Sequence, residues 1–227
     1  MSILAGIGNL VDDWLKIEPK GQPPFYRHRL AAIDAGYSNP SKENWRWKGH
    51  LELSPENKSP ELRLERSIVR NCGENWSNQM PTASGLVGPA ADKRAAVDLV
   101  YREDSTAYSL IELKVNSDNP LFAAIEILMC GLLFVWSRNN QEKLDYDVQI
   151  QPGLAADNVT LSVLAPISYY RDFDLSIVAS ALNIGLPEFG KQHNVTLGFE
   201  FWELRKGCAP DSSSETIELA ISDRSRI

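Results

Sequence analysis

Two neighbouring segments place charged side chains inside apolar runs, and they constrain the fold more than any other feature of the chain. Residues 96–100 and 110–115 are both typical of β-strands; Asp98 interrupts the first, and Glu112 and Lys114 interrupt the second. Because side chains alternate between the two faces of a strand, Glu112 and Lys114 point the same way. The short connection predicts an antiparallel hairpin with Asp98 across from them. If this mostly apolar sheet face is buried, its two carboxylates and its ammonium require ion pairing or a metal ion. The alternative is a surface hairpin in which these charged side chains are solvated.

The remaining segments predict an α/β domain with a central mixed β-sheet flanked by helices. Ser59-Pro60-Glu61 predicts the start of a helix, with Ser59 as the N-cap, Pro60 as the first helical residue and Glu61 as an acid in the first turn. This helix should reach about Cys72. A long apolar helix is expected over 120–138, a helix over 170–183 and buried strands over 160–166 and 195–204. Residues 73–92 look like a loop, and 216–221 like a final edge strand. We expect 1–58 to be a helical or irregular extension and 59–227 to be the core, together forming one compact domain.

Composition favours a cytoplasmic protein that does not contact a membrane. The N-terminus has no basic leader before its apolar residues, and the three cysteines are odd in number and scattered. The longest apolar stretch, 121–136, is interrupted by Glu126 and is short for a membrane span, so a buried helix is the better interpretation.

The charge is unevenly distributed along the chain. The net charge of −7 argues against a general nucleic-acid coat, because phosphate binding needs cations. Residues 20–50, however, contain six Lys or Arg against two acids, with Trp45 and Trp47 among them. Basic residues interleaved with aromatics suit a nucleic-acid surface, although a solvated, partly packed segment has the same composition.

The order of the charged elements resembles that of a known superfamily. A helix carries Glu65, a strand carries Asp98, the next strand carries Glu112-Leu113-Lys114, and a helix follows. In this order the chain resembles the PD-(D/E)XK nucleases, which have the restriction-endonuclease-like fold. Glu112-Leu113-Lys114 matches the (D/E)-x-K element, and Asp98 matches the aspartate. Glu65 matches a glutamate often found on the first core helix, whereas Val97 replaces the proline of the name. The resemblance covers roughly residues 60–138 and identifies no subfamily.

The resemblance implies Mg²⁺-dependent hydrolysis of nucleic acid, with DNA favoured over RNA and Mn²⁺ able to substitute. Asp98, Glu112 and the main-chain carbonyl of Leu113 would bind the metal ion, and Lys114 would stabilise the developing negative charge. Glu65 would bind a second ion or orient a metal-bound water. A homodimer is compatible with this activity, since many restriction-type enzymes dimerise to cut both strands.

Four further residues are weaker candidates. Glu126, the only charge in 121–136, could be a third carboxylate, and Gln79 could contact substrate. Lys93 and Arg94 could bind backbone phosphates. Two other hypotheses use the same residues: a catalytically inactive, nuclease-derived binding or scaffold module, and a hydrolase of a smaller phosphate compound with an enclosed pocket.

Overall fold

The computed structural model describes residues 40–49, 58–86, 96–117, 119–205, 207–209 and 211–227. Six strands form one sheet: β1 (Trp76–Pro81), β2 (Ala96–Arg102), β3 (Ala107–Leu113), β4 (Asn158–Pro166), β5 (Thr196–Leu204) and β6 (Ser225–Arg226). The helices of the described residues are α1 (Pro60–Asn71), α2 (Pro120–Asn139), α3 (Gln141–Leu144), a 3₁₀ turn (Pro152–Ala155), α4 (Ile167–Tyr170), α5 (Ser176–Lys191) and α6 (Ser214–Ser222).

The sheet is mixed, and its strands lie in chain order. β1, β2 and β3 form an antiparallel meander, β3, β4 and β5 are parallel, and β6 closes the sheet as an antiparallel edge on β5. Parallel neighbours need a crossover connection, which α2 supplies between β3 and β4 and α5 supplies between β4 and β5. The prediction of an α/β fold with a central mixed sheet flanked by helices is confirmed.

The two helices next to the hairpin begin where the sequence predicts. The Ser59 side chain accepts the N–H of Leu62, with Pro60 in the first turn of α1. Asn119 caps α2 in the same way by accepting the N–H groups of Leu121 and Phe122. By length and composition α2 could cross a membrane, but 72% of its apolar window is buried inside the structure, as in the core helix of a soluble protein.

Apolar side chains pack on both faces of the sheet. Leu99, Ile111 and Leu113 lie on one face, in a cluster with residues of α1 and α6. Val100 and Leu110 lie on the other, in a larger cluster with residues of α2 and α5. Because both faces are covered, Glu112 on β3 is buried and Asp98 on β2 is partly buried.

Three predicted elements were wrong or displaced. Residues 73–92 contain β1, because Trp76–Pro81 pairs with β2 although its own sequence is polar and ends in proline. Residues 216–221 lie in helix α6 rather than in an edge strand; Ile217, Ala220 and Ile221 have helical spacing, and the edge strand is β6. The predicted 170–183 helix is α5, which starts at Ser176 and continues through Pro187 to Lys191.

The described part of the predicted N-terminal extension, residues 40–49, packs against the core. The Trp45 side chain is buried, donates its indole N–H to the Ser137 hydroxyl at 3.0 Å and meets Phe134 edge-to-face. Trp47 is partly buried, and the Arg102 guanidinium lies over its ring. Trp45 is therefore a packing residue here, while most of the basic 20–50 segment lies outside the described residues.

Candidate active site

The hairpin of β2 and β3 brings Asp98 and Glu112 opposite each other. The paired register includes Leu99 with Ile111 and Val100 with Leu110, and its continuation sets Asp98 against Glu112. At this end of the hairpin the Leu113 N–H donates to the Asp98 Oδ2 at 3.0 Å. The hydrogen-bond acceptor of this N–H is therefore a side chain and not a main-chain carbonyl of the neighbouring strand. The two carboxyl groups are close enough for each to change the pKa of the other.

Lys114 follows directly after β3 and lies between two glutamates. Its Nζ is 3.0 Å from the Glu112 Oε1 and 2.7 Å from the Glu126 Oε2. The side chains of Lys114 and Glu112 are only 8% and 9% exposed, whereas that of Glu126 on α2 is 38% exposed. The ammonium is therefore buried with its counter-charges, as a cation inside a protein must be.

Glu65 reaches the same cluster from α1, and Gln79 connects it to Asp98. The Gln79 Nε2 donates to the Glu65 Oε2 at 2.8 Å and lies 3.4 Å from the Asp98 Oδ1. Gln79 is in the left-handed region at φ 50°, in the middle of strand β1. A non-glycine residue in that conformation is strained, and such strain is concentrated at functional sites. The surrounding structure holds the Gln79 amide against two carboxyl groups.

The three inner carboxyl groups all resist ionisation. Burial, followed by the charge of Asp98, raises the pKa of Glu65 to about 9. Burial also raises the pKa of Asp98 to about 6, although the Leu113 N–H and the Lys114 ammonium oppose the shift. The pKa of Glu112 lies well above its ordinary value because of burial and the charges of Asp98 and Glu126. Ionisation of all three groups would therefore place more negative charge at the site than the Lys114 ammonium can balance.

The pKa of Lys114 is shifted in the direction that keeps the ammonium charged. Burial alone would lower its pKa, but the Glu112 and Glu126 carboxylates outweigh burial and raise it. The side chain is therefore a permanent cation beside the carboxylate pair. Such a group can stabilise negative charge that develops on a bound anion.

Glu61 is a residue of this region that sequence reasoning did not single out as functional. Its Oε1 accepts the Val115 N–H at 3.2 Å and the Ser117 hydroxyl, which ties α1 to the chain just after β3. Its place in the first turn of α1, one turn before Glu65, was the available signal. Glu61 supports the position of the Glu112-Leu113-Lys114 segment.

Most of the predicted site residues converge. Asp98, Glu112, Leu113, Lys114, Glu65, Gln79 and Glu126 form one connected set of contacts. Glu126 contacts Lys114 and is not placed here as a third metal ligand. Lys93 and Arg94 lie outside the described residues.

The donor set fits a divalent cation in part. Among the described ranges, no three His, Cys, Asp or Glu side chains converge in an arrangement that could hold a metal ion. Asp98 and Glu112 nevertheless bring two hard oxygen donors together, and the charge of Asp98 raises the pKa of Glu112. A cation bound between them would relieve this repulsion. The Leu113 carbonyl, on the same strand edge as the N–H that faces Asp98, would be the third oxygen donor.

Comparisons of the chain with protein-family models, with curated proteins and with solved structures found no match. The function of the site is therefore inferred from its own geometry.

Proposed function

We propose that this chain is a metal-dependent nuclease of the PD-(D/E)XK type that hydrolyses phosphodiester bonds in nucleic acid, with DNA as the favoured substrate. The observation that carries the proposal is the meeting of Asp98, Glu112 and Lys114 at one end of the β2–β3 hairpin. The helix with Glu65, the two strands and the following helix also occur in the order that the resemblance requires. A restriction-endonuclease-like core is therefore part of the proposal.

Each residue has a role that follows from its environment. Asp98, Glu112 and the Leu113 carbonyl would hold Mg²⁺ or Mn²⁺, which supplies charge neutralisation and a nucleophilic water. Lys114, buried and permanently charged, stabilises negative charge on the phosphate as the bond to the leaving oxygen breaks. Gln79 holds the Glu65 carboxyl beside Asp98, where Glu65 can orient a water molecule.

The test is cleavage of plasmid DNA, single- and double-stranded oligonucleotides and RNA, with Mg²⁺ or Mn²⁺ and with EDTA. We expect metal-dependent cleavage that Asp98→Asn and Glu112→Gln abolish. Glu188→Gln, at an exposed position of α5, is the matched control and should cleave like the wild type. Cleavage that is equal in the Glu112→Gln variant, or absent with every substrate, contradicts the proposal.

A catalytically inactive binding or scaffold module is the second candidate, and two observations favour it. Glu112 already pairs with Lys114, and no three acidic, His or Cys side chains of the described residues converge as metal ligands. This candidate predicts that calorimetry shows no uptake of Mn²⁺. Mn²⁺ binding that Asp98→Asn abolishes would exclude it. Hydrolysis of a small phosphate ester with no cleavage of nucleic acid would instead support the small-substrate hydrolase.

Assembly and location are parts of the same proposal. A homodimer would place two sites on one duplex, and light scattering with and without DNA tests it. We also propose a cytoplasmic location without membrane contact, which cell fractionation tests.

A further inference from the structure

Glu126 lies on helix α2, outside the hairpin, and its ion pair with Lys114 is shorter than that of Glu112. Its Oε2 is 2.7 Å from the Lys114 Nζ, compared with 3.0 Å for the Glu112 Oε1. Glu126 is also the only charged residue in the apolar stretch 121–136, most of which is buried. A glutamate at the surface of such a helix needs no partner. Glu126 nevertheless contacts the ammonium of Lys114, whose side chain is only 8% exposed.

Glu112 faces two cations if the proposed function is correct. One is the Lys114 ammonium, already 3.0 Å from its Oε1, and the other is the divalent ion. The two positive charges repel each other and compete for the same carboxylate. A second anion that holds Lys114 lowers this competition, because the ammonium then has an acceptor that does not bind the metal ion.

We propose that Glu126 is a positioning residue that holds the Lys114 ammonium between α2 and β3 and so leaves Glu112 able to bind the divalent ion. This inference rests on the proposed function for its biological use, but it concerns a contact that can be measured without nucleic acid. It also assigns Glu126 a role other than that of a third metal ligand.

Without the Glu126 carboxylate, Lys114 loses one of its counter-charges and keeps its ion pair with Glu112. A metal ion must then displace a stronger ion pair, so its affinity falls. Loss of a group that orients a metal ligand typically lowers metal affinity about 10- to 100-fold. The effect depends on Lys114, and a metal ligand would not show this dependence.

A double-mutant cycle read by Mn²⁺ calorimetry tests the inference. We expect Glu126→Gln to weaken Mn²⁺ binding about 10-fold or more in the wild-type background. In the Lys114→Met background the same change should weaken it less than about 3-fold, because the residue it acts through is gone. Glu188→Gln is the control and should leave the affinity unchanged. An equal loss in both backgrounds makes Glu126 a ligand, and no loss in either makes it a surface ion pair; both results overturn the proposal.

A second measurement needs no metal ion, so it remains informative if the nuclease proposal fails. Acetic anhydride acetylates free lysine amines, and mass spectrometry gives the rate at Lys114. We expect Glu126→Gln to raise this rate several-fold and Glu126→Asp to raise it less, with Glu188→Gln unchanged. An unchanged Lys114 rate in Glu126→Gln overturns the positioning role. Absence of Mn²⁺ binding together with a raised rate overturns the metal site alone.

Discussion

Replacement of Glu65 by Gln should stabilise the metal-free protein, although it removes a residue of the candidate site. Glu65 is 1% exposed, and its pKa of about 9 means that the native carboxyl is neutral at pH 7. In the unfolded chain the same group ionises near its ordinary pKa of 4.5. Folding at pH 7 must therefore protonate it, at about 1.4 kcal/mol per pH unit between pH 4.5 and 7, or about 3.5 kcal/mol.

The Gln side chain avoids this cost and keeps a similar shape. Its amide oxygen can still accept the Gln79 Nε2 hydrogen bond that Glu65 accepts at 2.8 Å. We therefore expect Glu65→Gln to raise the free energy of unfolding at pH 7 by about 3.5 kcal/mol. For a chain of 227 residues this corresponds to a rise in Tm of about 7–14 °C.

The sign of the pH dependence makes the test specific. Below pH 4.5 both folded and unfolded Glu65 are protonated, so the advantage of the variant should vanish, and it should grow as the pH rises toward 9. Urea denaturation in EDTA at pH 4, 5.5, 7 and 8.5 measures it, with Glu188→Gln as the exposed control. A variant that is less stable at pH 7, or an advantage that does not change with pH, would refute the reasoning.

Three further substitutions have expected effects on stability. Lys114→Met leaves buried carboxylates without their cation and should cost about 3 kcal/mol at pH 7 by urea denaturation; a neutral effect would show that the pair is not buried in solution. Gln79→Gly should be about 1 kcal/mol more stable than Gln79→Ala, because glycine adopts the φ of 50° at this position without strain. Equal stabilities of the two variants would contradict that backbone conformation. Gly190→Ala would place a methyl group 2.3 Å from the Val195 carbonyl oxygen. The substitution should lower the free energy of unfolding by at least about 2 kcal/mol in thermal denaturation. An unchanged Tm would mean that α5 and β5 can separate.

The parts of the fold that the sequence predicts well are those with a local cause. Ser59 and Asn119 cap helices that start where expected, and the β2–β3 hairpin follows from two apolar runs and a short turn. β1 could not be predicted, because its Asn, Gln and Pro disfavour a strand and only pairing with β2 makes it one. The Ser213 cap and the helical spacing of Ile217, Ala220 and Ile221 are local signals for α6, so the edge strand predicted over 216–221 is wrong.

The site was predictable for a related reason. Alternation along a strand sets Glu112 and Lys114 on one face, and the hairpin register brings Asp98 to them, so three residues follow from local geometry. The contacts of Gln79 with Glu65 and of Glu126 with Lys114 depend on how helices and an unpredicted strand pack against the sheet. The sequence shows which residue types are there, whereas these distances come from tertiary packing.

The charge balance of the site determines the order in which ligands should bind. Asp98, Glu112, Glu65 and Glu126 carry four carboxyl groups that contact one another or the Lys114 ammonium. With Glu65 neutral at pH 7, ionisation of the other three beside Lys114 gives −2. A phosphodiester cannot approach such a site favourably until cations offset the excess, so metal binding should precede nucleic-acid binding. Ca²⁺, which prefers the same oxygen donors, should therefore tighten DNA binding measured by fluorescence anisotropy at constant ionic strength. Asp98→Asn should remove the Ca²⁺ dependence, because the variant lowers the negative charge and loses a proposed ligand. DNA affinity that is equal in Ca²⁺ and in EDTA would mean that nucleic acid binds elsewhere on the protein.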